Sequence, residues 1–313
     1  MENLNELKES FFSSICGKLL GDGCITCQVG RSPRFQFIHK LSDFEWCYYC
    51  YQQLKPFIPL NPPIYRKIQD ARVSQGYTES YMVQSKTSNI ITYLESIWYQ
   101  NRRKIVPFNY LDKFLDAKAL AWWYLDDGHL KIENKVPRKI ILSTDNFKRK
   151  ENQRLIDLIE QKFSLYFSLD GQNRLVIYNQ LQIYYFYRLV EPFLPPVMER
   201  KMIKMNSINP RKSPKRTTIC LPKDIYLSKP TFEVNSHLCT LPNLLNIFSN
   251  RDSFLDYYKK ISLYIKNHKD TKAYQIYIES KYWKYINDIK GITGLTISQI
   301  VLVCILLNNK ILL

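Results

Sequence analysis

The chain has 313 residues, which is enough for two or three structural units. It carries 45 Lys and Arg residues against 28 Asp and Glu residues, a formal net charge of +17, and 14% of its residues are aromatic. A disordered chain is excluded, because disordered chains contain few hydrophobic and aromatic residues. The positive charge favours a polyanionic partner, with nucleic acid as the first candidate and an anionic membrane as the second.

The sequence indicates neither membrane insertion nor export. The longest apolar run, Ile300 to Leu307, is far shorter than the ~20 residues that cross a bilayer, so we expect a soluble protein with no membrane partner. The first ten residues resemble neither a secretory nor an import signal. Eight cysteines in so long a chain predict reduced thiols. Heavy use of Lys, Asn, Ile and Tyr suggests AT-rich coding DNA, which predicts a protein encoded and retained in the mitochondrial matrix or chloroplast stroma, or otherwise a cytoplasmic one.

In the first half, an apolar helical stretch at residues 15–23, ICGKLLGDG, ends in an Asp-Gly pair that contains Asp22. Residues 34–39 then alternate between an aromatic and a largely polar face, which predicts a strand. The next helix opens with Ser42 and Glu45, which are spaced as a capping box. The remaining predicted elements are strands around Ile64 to Val73 and Tyr81 to Ser85, then a helix and Lys104.

The same order of elements recurs in the second half, where residues 120–128, LAWWYLDDG, end in an Asp-Gly pair that contains Asp127. The later predicted elements are a strand at 139–144, a helix from about Lys150 to Phe163, strands around Tyr166 to Leu169 and Arg174 to Tyr178, a helix, and Lys201. Each half thus reads as helix, hairpin, helix, hairpin and helix. Two copies of one unit usually pack about a pseudo-twofold axis.

We therefore predict an α+β fold of two pseudo-symmetric αββαββα repeats, over residues 1–108 and 109–205, with a mostly helical basic extension over 206–313. The stretch PRKSPKR at 210–216 is interpreted as a linker. The extension then predicts a strand Tyr274 to Ile278, a helix to about Ile289, a glycine-containing turn and a helix from Ser298. That order resembles a small DNA-binding module of the helix-turn-helix or ribbon-helix-helix type. A helical extension packed on the second repeat is the alternative.

The repeated Asp-Gly pair places an acid in the last turn of each helix, with a glycine expected to end the helix in the left-handed conformation. A carboxylate there faces the negative end of the helix dipole, which costs about 0.3–1 kcal/mol. If the helices pack side by side, the acids converge, and a divalent cation with oxygen ligands, Mg²⁺ above all, would compensate them. Gly17 and Gly21 form a smooth ridge against which Trp122 or Trp123 could pack. Asp126 could face solvent or serve the interface.

A metal held by Asp22 and Asp127 could activate water and stabilise the leaving oxygen in phosphodiester hydrolysis. Lys104 and Lys201 would then supply positive charge near the phosphorus or organise water. The structural alternative is that each Asp-Gly pair only ends a helix. Its repetition in register on a strongly basic chain disfavours that interpretation.

At these residues the chain resembles the LAGLIDADG homing endonucleases, in the monomeric branch that carries both motifs on one chain. LAWWYLDDG is similar to the second motif and ICGKLLGDG to the looser first motif, and the resemblance covers roughly residues 10–205. It implies that Asp22 and Asp127 bind the metal and are catalytic. It also implies that Lys104, in KIVP, and Lys201, after the proline-rich PFLPPVMERK segment, are the basic residues of the site.

The resemblance further implies a saddle formed by two four-stranded antiparallel sheets that straddles the major groove of double-stranded DNA, with the motif helices as its central axis. The implied activity is a double-strand break with short 3′ overhangs at a long, rare site, which promotes intron mobility. The implied cofactor is Mg²⁺, for which Mn²⁺ would substitute, and a monomer would suffice. Cys16, Lys18 and Trp122 stand where the family has Ala, Leu and Gly, which suggests altered helix packing.

Exposed positions of the predicted hairpins are rich in side chains that reach base edges and phosphates. For any one of them a solvated surface position is the alternative, so we predict DNA contact for the set. The set is Gln28, Arg31, Arg34, Gln36, Arg66, Lys67, Arg72, Gln84, Lys86, Lys131, Arg138 and Lys139.

Cys24, Cys27, Cys47 and Cys50 have the spacing of a four-cysteine zinc site. Their context argues against zinc, because the first pair falls on a predicted strand and the second on a helix flanked by aromatic residues, where free cysteine is usually a small buried residue. The four histidines show no metal-ligand spacing.

Two other functions fit the same fold. A maturase would bind RNA and assist splicing of its group I intron, and basic charge and aromatic residues serve that role equally well. A catalytically silent DNA-binding regulator would be expected to have lost an acid or a lysine of the site. The presence of both acids favours cleavage, and a dual endonuclease and maturase role is a further alternative.

Overall fold

The computed structural model describes residues 2–203 and 216–311, with side chains from Lys8 onward. The first repeat carries a four-stranded antiparallel sheet of order β1-β2-β4-β3. Its elements are α1 (Glu2–Leu20), β1 (Cys24–Thr26), β2 (Arg34–Lys40), α2 (Phe44–Leu54), β3 (Ile64–Gln69), β4 (Tyr77–Gln84) and α3 (Asn89–Trp98). Phe35, Phe37 and Val83 are buried on the face of the sheet that α2 covers. The alternate residues of these strands lie on the other, open face.

The start of α2 differs from the sequence prediction. A 3₁₀ turn over Leu41–Asp43 precedes the helix, and Asp43 occupies the N-cap position without a side-chain capping bond. The predicted capping box of Ser42 and Glu45 is therefore wrong. The extra turn moves the N-cap by one residue, from Ser42 to Asp43, and the Asp43 carboxylate instead accepts a hydrogen bond from Arg200 at 2.8 Å.

A short connection joins the repeats and comprises β5 (Tyr99–Gln100), β6 (Arg103–Lys104) and α4 (Phe108–Phe114). The elements of the second repeat are α5 (Ala117–Asp127), β7 (Gly128–Glu133), β8 (Val136–Leu142), α6 (Arg149–Phe163), β9 (Ser168–Leu169), β10 (Leu175–Ile177) and α7 (Gln180–Val190). Their sheet has the order β7-β8-β10-β9, the same pattern as in the first repeat. Asp116 caps α5 by accepting a hydrogen bond from the Ala119 main-chain nitrogen at 2.8 Å. The αββαββα order predicted from the sequence is confirmed.

The extension after the second repeat is mostly helical. Its elements are β11 (Thr217–Pro222), α8 (Pro230–His237), α9 (Leu241–Ser249), α10 (Arg251–Asn267), β12 (Thr271–Ile276), α11 (Trp283–Thr293) and α12 (Ile297–Asn308). β11 pairs antiparallel with β12. The sequence indicated β12, α11 and α12 but no element between residues 217 and 267. Apart from Arg216, the predicted linker PRKSPKR lies outside the described residues.

The extension shares a core with α7. The rings of Tyr185 in α7 and Tyr258 in α10 stack with centroids 3.6 Å apart. Arg251, the first residue of α10, donates to the carbonyl oxygens of Arg188 at 2.8 Å and Leu189 at 3.3 Å, near the end of α7. Gly294 has a left-handed conformation with φ 69° where it passes α7. α7 and the extension are thus built as one body.

The chain divides into two compact units. One comprises Met1–Leu130, Ile140–Val176 and Val190–Met202, and the other comprises Lys131–Lys139, Ile177–Leu189 and Ile203–Leu313. Among the described residues, no single helix is long and apolar enough to span a membrane. One pair of consecutive helices, Ser280–Thr293 and Ile297–Asn308, is together long and apolar enough, but the two helices meet at a bend of 102°.

Candidate active site

The two motif helices, α1 and α5, pack at very close range. A Cβ atom at Gly17 would lie 2.3 Å from the carbonyl oxygen of Ala119 and 2.6 Å from Cβ of Trp122. A Cβ atom at Gly21 would lie 2.6 Å from Cβ of Asp126. These distances are far below van der Waals contact, so only glycine fits without displacing α5. The close approach places the Asp-Gly ends of the two helices together.

The glycines of the Asp-Gly pairs do not have the left-handed conformation that the sequence predicts. Gly128 is extended, with φ −80° and ψ 148°, and Gly23 also lacks a positive φ. A Cβ atom at Gly128 would lie 2.3 Å from the carbonyl oxygen of Tyr124, and one at Gly23 would lie 2.6 Å from that of Lys18. Glycine is needed here for space against the preceding helical turn, and the prediction of left-handed caps is wrong.

The two predicted acids lie at these helix ends. Asp22 is in the turn after α1, and Asp127 is the last residue of α5. Burial and then repulsion from Asp126 raise the pKa of Asp22 to about 6. Burial and then repulsion from Asp22 and Asp126 raise the pKa of Asp127 to about 7. Three carboxyl groups are thus held within electrostatic reach of one another, an arrangement that a bound cation would relieve.

Lys104 and Lys201 lie beside the same helix ends. Nζ of Lys104 donates to the carbonyl oxygen of Gly23 at 2.8 Å. Nζ of Lys201 donates to three carbonyl oxygens at the end of α5, those of Tyr124 (3.0 Å), Leu125 and Asp126 (3.2 Å). Burial lowers the pKa of both lysines, that of Lys201 to about 8. Lys201 therefore offsets the negative end of the α5 dipole and adds positive charge beside the acids.

Asp126 belongs to the helix interface. Its Oδ1 lies 2.7 Å from Nζ of Lys18, and both side chains are fully buried. Nε1 of Trp46 donates to the same oxygen at 2.9 Å, and the main-chain nitrogen of Asp22 donates to Oδ2 at 3.1 Å. Burial opposes the charged form of Lys18, but the Asp126 carboxylate holds the pKa of Lys18 above its usual range. Lys18 and Asp126 are therefore a buried ion pair.

His39 connects this ion pair to Asp22. It lies on the buried face of β2, with a side chain only 4% exposed. Its Nε2 is 2.7 Å from Nζ of Lys18, and its Nδ1 is 3.3 Å from Oδ2 of Asp22. Burial and then the positive charge of Lys18 keep the pKa of His39 well below its ordinary value. The imidazole is therefore neutral.

Within the described part of the chain, the ligand atoms of Asp22, His39 and Asp126 lie within 4.8 Å of one another. Carboxylate oxygens are hard ligands of the kind that Mg²⁺ and Mn²⁺ accept, and repulsion between the acids contributes, after burial, to the raised pKa values of Asp22 and Asp127. The acidic end of the cluster thus fits a divalent cation. Asp22 and Lys201 also line a cleft of about 730 Å³ that reaches the open face of the first sheet.

Four of the predicted DNA-contacting residues share that open face. The Gln84 amide donates to the Gln36 amide oxygen at 3.0 Å across β2 and β4. Arg34 is two residues before Gln36 on the same strand. Arg66 pairs with Ser80 of β4, which is four residues before Gln84 on that strand and so lies on the same face. Gln28 and Arg31, from the loop after β1, line a cleft of about 460 Å³ with Arg34 and Gln84.

Other members of the predicted set lie elsewhere. Lys67 follows Arg66 on β3 and so points to the opposite face, where its Nζ lies 3.7 Å from the ring centroid of Tyr77. Arg72, in the turn between β3 and β4, makes two 2.8 Å hydrogen bonds to the Asp70 carboxylate. Lys86 is exposed just after β4.

The basic residues of the second sheet also divide between its two faces. Lys131 and Arg138 lie 2.6 and 3.8 Å from the Glu133 carboxylate. Lys139 follows Arg138 on β8, so it points to the other face, and its Nζ is 6.0 Å from the ring centroid of Tyr178. Strand alternation therefore keeps the predicted set from forming one surface.

The cysteines considered for zinc lie in the first repeat. Cys24 is on β1 and Cys27 just after it, while Cys47 and Cys50 are buried on α2. Burial raises the pKa of Cys47 to about 11 and also raises that of Cys50. In the absence of a metal, Cys47 and Cys50 are thus held as neutral thiols.

Residues 12–183 match the model of the LAGLIDADG DNA endonuclease family. The chain belongs to this family. The match spans both Asp-Gly motifs and both sheets, and it confirms the family resemblance inferred from the two motifs.

Three relatives illustrate the range of this similarity. The chain is 28% identical over 206 residues to an uncharacterized protein of Methanocaldococcus jannaschii, covering 64% of this chain and 76% of that protein. It is 26% identical to the probable intron-encoded endonuclease 1 of Wickerhamomyces canadensis, covering 61% of this chain and 82% of the relative. It is 24% identical to the cytochrome b mRNA maturase bI2 of Debaryomyces hansenii, covering 64% and 76%.

A similar solved structure is that of the homing endonuclease I-WcaI bound to its DNA recognition sequence. The match has a TM-score of 0.54 and 22% sequence identity, and it covers 62% of this chain and 86% of that chain. At this identity the similarity establishes the fold, and the LAGLIDADG architecture predicted from the sequence is confirmed.

The sequence interpretation missed the roles of Lys18 and His39 and left that of Asp126 open. Two signals were present. Lys18 is a charged residue inside an apolar helical stretch, and His39 is the polar member of an otherwise aromatic strand face. A buried charge needs a partner. Only packing identifies Asp126 as that partner, because 108 residues separate it from Lys18.

Proposed function

We propose that this protein is a metal-dependent, site-specific DNA endonuclease. It would hydrolyse one phosphodiester bond in each strand of a long target site, leave 3′ overhangs and so promote mobility of the intron that encodes it. The observation that carries the proposal is the convergence of Asp22 and Asp127 at the ends of two closely packed helices, with Lys104 and Lys201 beside them.

In this proposal Asp22 and Asp127 hold a divalent cation, Mg²⁺ or in its place Mn²⁺. The bound cation would supply an activated water and stabilise the leaving oxygen. Lys104 and Lys201 contribute fixed positive charge near the scissile phosphates. Both ammonium groups already donate to main-chain carbonyls, so their charges are held in place before substrate binds.

The open face of the first sheet is the proposed DNA-binding surface of the first repeat. Arg34, Gln36, Arg66 and Gln84 supply the donors and acceptors that read base edges and bind phosphates. Exposed apolar side chains lie on the same face, among them Ile38 and Ile64, which are 39% and 55% exposed. Such side chains suit contact with thymine methyl groups.

The test is cleavage of the intronless version of the host locus by the purified chain, with Mg²⁺ or with EDTA, followed by mapping of the ends. We expect one Mg²⁺-dependent double-strand break with 3′ overhangs at the insertion point. Asp22→Asn and Asp127→Asn should each abolish cleavage and leave DNA binding intact. Normal cleavage by either variant would contradict the assigned roles.

An RNA maturase is the second candidate, and the similarity to a cytochrome b mRNA maturase favours it. The measurement is the splicing rate of the host intron RNA with and without the protein. Faster splicing that survives Asp127→Asn would indicate a maturase role independent of cleavage. Specific DNA binding without cleavage or splicing activity would instead indicate a catalytically silent regulator.

We further propose that the protein acts as a monomer, because both acids lie on one chain. An intron-encoded relative and a cytochrome b maturase relative support an organelle location, in the mitochondrial matrix or the chloroplast stroma.

The basic extension is a candidate second DNA-binding segment. Its shared core with α7 means that a truncation should keep α7 covered, or the second repeat will lose a packed surface.

A further inference from the structure

Four side chains of the first unit form a connected series of polar contacts that runs from the helix interface to Asp22. Asp126 accepts from Lys18 at 2.7 Å, and Lys18 lies 2.7 Å from Nε2 of His39. Nδ1 of His39 lies 3.3 Å from Oδ2 of Asp22. Three of the four side chains are at most 4% exposed, and only that of Asp22, at 33%, reaches solvent.

The direction of each hydrogen bond follows from the groups present. An ammonium has three protons and no acceptor, so Lys18 must donate to Nε2 of His39. A neutral imidazole that accepts at Nε2 carries its proton on Nδ1. That nitrogen lies 3.3 Å from Oδ2 of Asp22. The buried ion pair thus selects the His39 tautomer that can donate to the Asp22 carboxylate.

We propose that His39 is a positioning residue for Asp22, and that the buried Lys18–Asp126 pair sets its tautomer. The inference rests on the proposed function, because Asp22 is the acid that would hold the metal. A hydrogen bond to one carboxylate oxygen fixes the rotation of the group and leaves the other oxygen free to face the cleft. Residues that orient metal-binding groups in this way commonly matter almost as much as the ligands themselves.

The same geometry argues against direct metal binding by His39, although its ring lies within the 4.8 Å cluster. Nδ1 of His39 carries a proton, so it has no lone pair for a metal. Both oxygens of Asp126 already accept hydrogen bonds, from Lys18 and Trp46 at Oδ1 and from the Asp22 main chain at Oδ2. The cluster therefore acts as a scaffold for Asp22.

The second repeat has no histidine at the position that corresponds to His39 by spacing from the acid. His39 follows Asp22 by 17 residues, and the residue at the same spacing from Asp127 is Thr144. Its hydroxyl donates to the carbonyl oxygen of Asn173 at 2.9 Å. The hydroxyl of Thr144 thus donates to a main-chain carbonyl, and Thr144 offers a matched control for changes at His39.

The experiment compares His39→Ala, His39→Asn, His39→Gln and Thr144→Val in the full chain. The measured quantities are the single-turnover cleavage rate over a MgCl₂ titration and the affinity for target DNA in EDTA. We expect His39→Ala to lower the rate, or raise the Mg²⁺ requirement, by about 10–100-fold. Its DNA affinity in EDTA should stay within about twofold, because the His39 side chain is only 4% exposed and lies on the buried face of β2.

The two amide variants separate positioning from packing. Asn can place an N–H near the position of Nδ1, whereas Gln places its amide nearer the position of Nε2. His39→Asn should therefore recover most of the lost rate, His39→Gln should resemble His39→Ala, and Thr144→Val should keep the wild-type Mg²⁺ requirement. Equal rates for all three His39 variants and the wild type would overturn the proposal, and so would equal losses in Asn and Gln.

A second measurement needs no variant and no cleavage. Proton–nitrogen NMR correlation of the His39 ring in the metal-free wild-type protein should show the Nδ1–H tautomer. An Nε2–H tautomer would overturn the inference. If the wild type fails to cleave its target with Mg²⁺ but shows the Nδ1–H tautomer, the proposed function fails while the orienting contact stands.

Discussion

The carboxylate of Asp126 lies 2.7 Å from the ammonium of Lys18, and neither side chain is exposed to solvent. Lys18 is in the first motif helix and Asp126 in the second, so this ion pair joins the two halves of the LAGLIDADG core. Lys18 also lies 4.5 Å from the ring centroid of Phe37. The pair therefore ties together both helices and the first sheet.

Removing one member of this pair should be costly. Lys18→Met leaves the Asp126 carboxylate buried without its cation, which should lower the free energy of unfolding by about 3–5 kcal/mol. The double variant Lys18→Met/Asp126→Asn removes both charges and should be more stable than Lys18→Met alone. Urea denaturation of Lys18→Met, Asp126→Asn and the double variant measures the coupling free energy between the two side chains. Additive effects would contradict a direct buried ion pair.

The raised pKa of Asp127 predicts a specific pH dependence of stability. Its folded-state pKa of about 7 is above the ordinary value of 3.8, so the folded state favours the protonated carboxyl. The contribution of Asp127 to the free energy of unfolding is therefore greatest below about pH 4 and is lost as the pH rises through 7. In EDTA, Asp127→Asn should be more stable than wild type at pH 8 by on the order of 1–2 kcal/mol, after solvent screening is allowed for.

Thermal or urea unfolding at pH 4, 6 and 8 checks this dependence. The difference between Asp127→Asn and wild type should be small at pH 4 and largest at pH 8. Added Mg²⁺ should stabilise the wild type more at pH 8 than at pH 5, because metal ligands must be deprotonated. A difference that does not change with pH would contradict the raised pKa.

Gly17 should not tolerate alanine, although alanine favours helices by about 1 kcal/mol over glycine. The new methyl group would lie 2.3 Å from the Ala119 carbonyl oxygen and would force α1 and α5 apart. We expect Gly17→Ala to lower the free energy of unfolding by about 1–3 kcal/mol. Gly171 is the control, because a Cβ atom there meets nothing within 4 Å and Gly171→Ala should be nearly neutral. Stabilisation by Gly17→Ala would contradict the close helix contact.

Arg66 and Lys67 are neighbours on β3 that point to opposite faces of the sheet. Arg66→Ala should weaken binding to target DNA by about 1–3 kcal/mol if Arg66 reads a base, or reduce the salt slope by about one if it binds a phosphate. Lys67→Ala should leave affinity nearly unchanged. Fluorescence anisotropy at several salt concentrations distinguishes the cases. Equal losses in both variants would mean that charge alone, without regard to the face, attracts the DNA.

Much of the architecture was predictable because it rests on local pattern. Each of the informative patterns lies within a single turn, helix or strand. These patterns are the two Asp-Gly motifs, the alternation in residues 34–39 and the apolar residues of the motif helices. They predicted the duplicated αββαββα unit and the family. The start of α2 was not predicted, because a 3₁₀ turn and a capping box use the same polar residues, and Asp43 is engaged by the distant Arg200.

The sequence by itself determined the repeat, the two acids at its helix ends and the basic character of the chain, because these depend on residue type and short spacing. Tertiary structure alone decided which charges meet. It buried Lys18 against Asp126, turned His39 toward Asp22 and separated Arg66 from Lys67 by strand alternation and pairing. The physical reason is that these contacts join residues far apart in the sequence or on different strands of a sheet. The cost of burying a polar group without a partner, rather than a local conformational preference, selects such contacts.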